Sequence, residues 1–399
     1  MKTNFTKKYF NGKLSKNFLA LYKSVSITYI ATGLLGLYLP IFLYNLFEQN
    51  IQAVALYYLI GHFAYGMTVM WGAKYLNKFG FRRALRLSGF FGMLYFMLFY
   101  FTTADNFQIL IPLIIITLLF FRLLYWIPYN VDFAKFTDVK NRGREISMMG
   151  VTKNIAAVLT PILAGFLIIK FSFNILFLIA MILYLLSIIP LFKIARTNEK
   201  FAWTVKQTWQ HFFSKKRRRE VLAFMADGAE GVIGVLVWPI FMFQILNGDY
   251  LKLGVIATII TGVTIFLQLI IGYYSDEKMN KSRILHFGSV FYAMGWIFKI
   301  FIATAFQIFV IDSYHRIVKI FMRIPFDTMT YEKAADEGHF VDEFTVLREM
   351  ALNTGRTIML GLIIFAASFI NIQWIFILGA ATAISFNFLR IDTVKSPKI

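Results

Sequence analysis

Apolar residues in this chain gather in long runs separated by short polar stretches. A helix that crosses a bilayer needs about 20 mostly apolar residues. By that measure the chain carries twelve spans, over 18–47, 51–76, 84–103, 107–134, 146–169, 171–192, 221–246, 251–274, 284–305, 308–329, 344–369 and 372–389. They are segments 1 to 12 below. One longer polar stretch, 196–220, parts segment 6 from segment 7. The pattern predicts an all-α integral membrane protein with an N-terminal six-helix half over 1–195, a linker over 196–220 and a C-terminal six-helix half over 221–399.

Composition removes the soluble alternative. With 58% hydrophobic and 16% charged residues and a mean hydropathy of +0.64, the chain has too little polar surface to cover a water-exposed globule. Residues 1–16 are basic and aromatic with no apolar core, so no cleavable signal peptide is expected. The absence of cysteine excludes disulfides, thiolate metal sites and cysteine nucleophiles.

The net charge of +20 changes meaning once it is mapped onto the spans. Of 41 Lys and Arg, 32 lie in or at the edges of stretches on the side of the N-terminus, and only Lys170 and Lys252 lie in opposite loops. The other seven are inside spans. Lys and Arg mark cytoplasmic loops, so both termini are expected in the cytoplasm and the protein in the cytoplasmic (inner) membrane. The charge is then topology plus attraction to anionic membrane lipid, not a nucleic-acid surface. In the linker, Val205, Trp209 and Phe212 recur at helical spacing and predict an interfacial helix. The block Lys215–Arg219 follows; it reads first as a topology anchor and second as a lipid or partner site.

Three local features recur about 200 residues apart. The loop around Asn77 after segment 2 matches the loop around Asp276 after segment 8. Ile127-Pro128-Tyr129-Asn130 in segment 4 echoes Ile324-Pro325-Phe326-Asp327 in segment 10. Arg144-Glu145 opening segment 5 echoes Arg348-Glu349 opening segment 11. With these repeats the chain resembles the major facilitator superfamily of secondary transporters over essentially its full length. The superfamily signature after segment 2 reads roughly Gly-x-x-x-Asp-Arg-x-Gly-Arg-Arg. Here Ala73, Asn77, Lys78, Gly80, Arg82 and Arg83 stand at its places; the second half keeps Gly272 and Asp276 but has Met279 at the later glycine. The resemblance implies a gating role at the cytoplasmic face for Asn77, Gly80, Arg82, Arg83, Asp276, Arg144, Glu145, Arg348 and Glu349. Asn77 lacks the charge of the usual aspartate, which puts an ordinary latch in doubt. Segment 5 keeps Pro161 and Gly165 of an antiporter pattern, which a simple proline kink explains equally well.

Charges inside spans are costly and should face a watery cavity or one another. The resemblance implies that segments 1, 4, 7 and 10 line that cavity. Segment 4 carries Arg122, with Trp126 one turn on. Segment 7 carries Asp227 and Glu230 on one face; segment 10 carries Asp312, His315, Arg316, Lys319 and Arg323, four of them in one helical stripe. Arg122, Trp126, Arg316 and Lys319 are expected to bind substrate, because a basic site suits a carboxylate or phosphate. Asp227, Glu230, Asp312 and His315 are expected to carry the coupling proton. The alternative is that these groups are ion pairs holding segment 10 against segment 7 or 4. No Gly-Lys-Ser/Thr phosphate loop, His-Glu-x-x-His or Gly-x-Ser-x-Gly occurs, so neither an ATP-driven pump nor an enzyme is expected, and no cofactor or metal. The expectation is a monomeric, proton-coupled secondary transporter of a small organic solute, anionic or amphiphilic. A drug or lipid efflux protein or flippase, and a transporter-like receptor, are the alternatives.

Overall fold

The structure, a computed structural model, describes residues 14–137, 142–196, 201–274, 281–336 and 341–389. Every predicted span is helical there. Segment 1 is Lys16–Gly36 continued by Leu39–Leu46, segment 2 is Ile51–Phe79, and segment 3 is Phe81–Tyr100. Segment 4 is Phe107–Phe136, segment 5 is Arg142–Phe171, and segment 6 is Phe173–Leu191. After a linker helix, Val205–Phe212, segment 7 runs through Arg218–Val232, a wide π turn Ile233–Val237, and Trp238–Ile245. Segments 8 to 11 are Tyr250–Tyr274, Lys281–Lys299, Ala305–Asp336 and Val341–Ala366. Segment 12 is Phe376–Ser385 between two short 3₁₀ turns.

Among the described residues, seven helices are long and apolar enough to cross a membrane by length and composition alone: segments 1, 2, 4, 5, 6, 7 and 8. The other five are too charged or too short to pass alone, and they cross as part of a bundle. Segment 10 illustrates this: it holds Asp312, Arg316, Lys319 and Arg323, and each finds a partner.

The two breaks within spans have one cause. A proline ring clashes with the carbonyl four residues before it and offers no N–H. Pro40 breaks segment 1 at Leu37, and Pro239 forces the π turn in segment 7. The two prolines are 199 residues apart, in register with the sequence repeat. Between segments 2 and 3 the chain turns on one residue, Gly80, whose φ of 86° lies in the left-handed region that favours glycine. Asp249 caps segment 8, accepting hydrogen bonds from the N–H groups of Leu251 (3.0 Å) and Lys252 (2.9 Å).

Packing follows the division into halves. In the first half, segment 1 packs on 5 and 6, segment 2 on 4, and segment 3 on 4 and 6. In the second, segment 7 packs on 11 and 12, segment 8 on 10, and segment 9 on 10 and 12. Each pairing of the first half thus recurs with six added to both numbers. The halves meet chiefly along segment 2 against 11 and segment 5 against 8. Short turns make consecutive segments antiparallel, so the bundle has a linker end and a far end.

Candidate functional site

Segment 10 is joined to its neighbours by stacked ion pairs. At the first level, Asp312 accepts from Lys299 of segment 9 (Nζ to Oδ1, 2.7 Å) and from Arg316 one turn on (Nε to Oδ2, 2.8 Å). Arg316 also donates to the Thr261 hydroxyl of segment 8 at 3.1 Å. Lys299 lies over the rings of Trp238 (3.7 Å) and Trp296 (4.7 Å), so a cation deep in the bundle has a carboxylate on one side and π faces on others. At the second level, Glu230 of segment 7 accepts from the Tyr292 hydroxyl of segment 9 and lies 3.3 Å from Lys319 through both oxygens. At the third, Arg323 donates to Asp227 at 2.5 Å and to Asp327 at 3.0 Å.

The two signs are not equally placed. The side chains of Arg316, Lys319 and Arg323 remain 34%, 40% and 31% exposed, whereas Asp312, Glu230 and Asp227 are at 3%, 2% and 10%. Cations form the open face of the stack and carboxylates neutralise them from behind. His315 is buried between Tyr292 and Trp296, ring centroids 4.4 and 4.5 Å away, and neither ring nitrogen has a hydrogen-bond partner among the described residues.

Segment 4 presents a different arrangement. Arg122 donates to the Gly61 carbonyl at 3.3 Å and lies 3.3 Å from His62 Nδ1. That nitrogen is 2.8 Å from Asn353 Oδ1 of segment 11, in the other half. Asn353 donates its amide to the Glu349 carbonyl (2.8 Å), and Arg356 donates to Asn353 Oδ1 (3.3 Å). Oδ1 is therefore the acceptor, and His62 Nδ1 carries the proton it donates across the seam. Nδ1 is then no acceptor for Arg122. No carboxylate among the described residues lies within ion-pair distance of Arg122. Trp126, 39% exposed, stands one turn along.

The residues expected to gate are spread along the linker end. Asn77 exchanges two hydrogen bonds with the backbone of Phe201 in the linker (2.9 and 3.0 Å), and the next residue, Ala202, donates to Glu343 of segment 11 at 2.7 Å. The linker thus ties segment 2 to segment 11. An amide side chain can both donate and accept here, which an aspartate cannot. Arg82 reaches the Ile194 carbonyl at 3.5 Å, and Arg83 is exposed. Glu145 is buried and Arg144 half-buried at the start of segment 5. Arg348 lies 5.9 Å from the Phe224 ring. Asp276 lies outside the described residues.

At the far end the halves are sealed by residues the sequence did not single out. Tyr38 of segment 1 points its hydroxyl at two carbonyl oxygens, Pro161 of segment 5 (2.8 Å) and Tyr250 of segment 8 (3.0 Å). Asn45 donates to the Tyr250 hydroxyl (2.8 Å), Gln244 to Tyr44 (2.7 Å), and Gln52 to the Ala367 carbonyl (3.2 Å). Gly165 and Gly254 allow the crossing of segments 5 and 8. A Cβ on Gly165 would stand 2.5 Å from the Tyr250 oxygen, and one on Gly254 2.5 Å from the Pro161 oxygen. Tyr292 and Asn353 also escape the sequence reading, and Lys299 stands out there only as a lone charge inside a span.

Helices in two packed groups of six, with charged side chains inside the bundle, define a multi-pass membrane protein of the secondary-transporter type. The chain belongs to the Major Facilitator Superfamily, whose family model matches residues 21–314. Among solved structures it is similar to the peptide transporter POT in complex with sulfate, with a TM-score of 0.70, 11% identity and 93% of each chain covered. A mutant of the same transporter in complex with alafosfalin gives a TM-score of 0.69 at 12% identity, again over 93% of each chain. These likenesses concern the fold. A curated relative, the uncharacterized protein YqgE of Bacillus subtilis (strain 168), is 24% identical over 245 residues. That match covers 59% of this chain and 56% of the relative.

Proposed function

We propose that the protein moves a small anionic organic solute across the cytoplasmic membrane by alternating access, coupled to protons, with Arg122 as the main anion-binding group. The observation that carries this reading is the contrast between the two sets of cations. Each cation of the segment 10 stack already has a carboxylate; Arg122, within the bundle, has carbonyl and histidine neighbours and, among the described residues, no carboxylate. A guanidinium at membrane depth is costly unless an anion joins it. Its planar fork suits a carboxylate or phosphate. Trp126, one turn away, offers an exposed ring to the apolar part of such a solute. Arg316 and Lys319 present the open basic face of the stack as a second contact.

Of the four groups expected to carry the proton, Glu230 is best suited. Asp312 is gripped by two cations at 2.7 and 2.8 Å, and Asp227 by Arg323 at 2.5 Å. Glu230 has one cation at 3.3 Å and a phenol that bonds it without charge. Protonating Glu230 frees Lys319 for the solute, and deprotonation draws it back. The positive-inside count supports placing the linker end and both termini in the cytoplasm.

The test uses the full chain in proteoliposomes with an imposed pH gradient and a panel of small carboxylates, phosphonates, amines and neutral solutes. Anions should be accumulated. Arg122→Ala should lower their binding at least ~10-fold, the loss of one charge-assisted contact, with little change in melting temperature. Glu230→Gln should abolish gradient-driven accumulation yet leave solute exchange. Anion binding unchanged in Arg122→Ala would refute the site. The second reading, a transporter-like receptor, would be favoured by solute binding without any transport.

A further inference from the structure

Next to the central site, a cavity of about 610 Å³ lies between the halves on the linker side of the bundle. That is within the ~300–1,000 Å³ typical of ligand pockets. Segment 2 forms one wall, segments 7 and 11 the other, and the linker helix lies across it through Trp209, Phe212 and Phe213. The lining is almost wholly apolar, and its rim is open: Phe63 is 53%, Met67 36%, Ile358 51% and Phe213 74% exposed. In a bundle surrounded by lipid, such a rim faces acyl chains. The Thr354 and Thr357 hydroxyls in the lining are spent on the carbonyls of Met350 and Asn353, which leaves polar groups at two places. The His62–Asn353 pair lies in the lining, and Arg218 lines it at the first residue of segment 7.

Arg218 supplies the chemistry that tells one occupant from another. It is exposed, and no carboxylate among the described residues pairs with it. Lys215, Lys216 and Arg219 beside it are likewise exposed and unpaired among the described residues, whereas Arg217 of the same run is buried against Trp203. From Arg218 to Met225, which lines the cavity deeper in, segment 7 descends about 10 Å. An apolar slot that deep with free cations at one end is complementary to a molecule with a long hydrocarbon tail and an anionic head. Anionic lipid headgroups at a cytoplasmic leaflet are drawn to such clusters.

We infer that this cavity is a binding site for an anionic phospholipid of the linker-side leaflet, its acyl chain against Phe63, Met67 and Ile358 and its phosphate on Arg218. The site adjoins Arg122 through the His62–Asn353 pair, but its slot and its cation are its own, and it stands whether or not the transport reading holds. Its walls come from both halves, so a lodged lipid favours the arrangement in which segments 2 and 11 meet.

The test reconstitutes the full chain in phosphatidylcholine vesicles carrying traces of spin-labelled phosphatidylglycerol, phosphatidylcholine or stearate, and reads the immobilised fraction. Phosphatidylglycerol should be preferred over phosphatidylcholine about fivefold, the worth of one basic contact at a membrane surface. Arg218→Gln should remove that preference, while Lys215→Gln with Lys216→Gln keeps most of it. Met67→Trp, which fills the slot, should reduce the immobilised fraction itself. Equal preference lost in Arg218→Gln and in the double variant would mean unspecific attraction and overturn the site. Stearate held as tightly as phosphatidylglycerol would assign the slot to free amphiphiles and overturn the phospholipid. As a check that leaves Arg218 and Met67 untouched, phosphatidylglycerol brominated on its chain should quench the fluorescence component lost on Trp209→Phe. No quenching of that component would also overturn the proposal.

Discussion

Single residues at the core of this protein are constrained by what they neutralise. Asp312 compensates two cations, of which Lys299 is only 3% exposed. Removing one partner of a buried pair leaves the other charge uncompensated, at about 3–5 kcal/mol. Asp312→Asn should therefore lower stability by about that amount, read by thermal unfolding in detergent. Adding Lys299→Met should restore much of the loss, and strictly additive losses would show that the pair is not coupled. The charges themselves were legible in the sequence, because an ionisable residue in an apolar run is conspicuous. Their partners were not. Whether Lys319 meets Glu230 or a group across the cavity depends on the rotation of segment 10 against segment 7, which helical spacing alone leaves free. Ion pairing between segments 10 and 7, the alternative to a purely functional reading, is present in the structure; Arg122, by contrast, has no carboxylate beside it among the described residues.

At the scale of helices, the turns and crossings are set by a few small or rigid residues. Segment 7 crosses segment 11 where a Cβ on Gly228 would collide with the Leu352 carbonyl, and one on Gly355 with that of Met225. These obstacles are backbone and cannot swing aside. Gly228→Leu should separate the two helices and cost more than about 3 kcal/mol, the upper range of overpacked cores; a melting temperature within a degree of the parent's would refute the tight crossing. Capping gives a pH signature. The N–H of Lys252 foremost, with the Lys252 ammonium and the N–H of Leu251, holds the Asp249 carboxyl below its ordinary value. A carboxylate with a depressed folded pKa stabilises above the unfolded value and loses that contribution as pH falls through the folded one. The protection factors of the amides at the start of segment 8, corrected for the intrinsic pH dependence of exchange, should thus be steady from neutrality down to about pH 4, the ordinary carboxylate range, and fall only below it. Asp249→Asn, which keeps an acceptor at the cap but cannot titrate, should abolish the pH step. Spans were legible here because apolar length is a direct signature; the breaks at Pro40 and Pro239 were not, since a proline's effect depends on how much the next helix lets it yield.

For the molecule as a whole, the all-helical membrane fold was legible through the apolar spans and the family motifs, and the way the two packed groups of helices close was not. The sequence drew attention to the linker end, where loops are basic, yet among the described residues the halves are also sealed at the far end, through Tyr38, Asn45, Gln52, Gln244 and Tyr250. Neutral hydrogen bonds between tyrosine, amides and carbonyls leave no mark in composition. The cysteine-free chain allows a direct check. Cysteines at Asn45 and Tyr250 should cross-link with a short bifunctional reagent when the far end is closed. The linked protein should no longer transport, and full activity after cross-linking would disprove alternation at this end.

Tyr38 adds something to that seal. Its hydroxyl has one proton and two acceptors, Pro161 in its own half and Tyr250 in the other. When the halves part, the proton keeps the Pro161 carbonyl, so no donor is stranded in hydrocarbon. Separation gives up the longer arm of a forked contact instead of a whole hydrogen bond. The hydroxyl would act as a clutch in the alternating-access cycle proposed above: it grips both halves where they meet and would stay satisfied where they part.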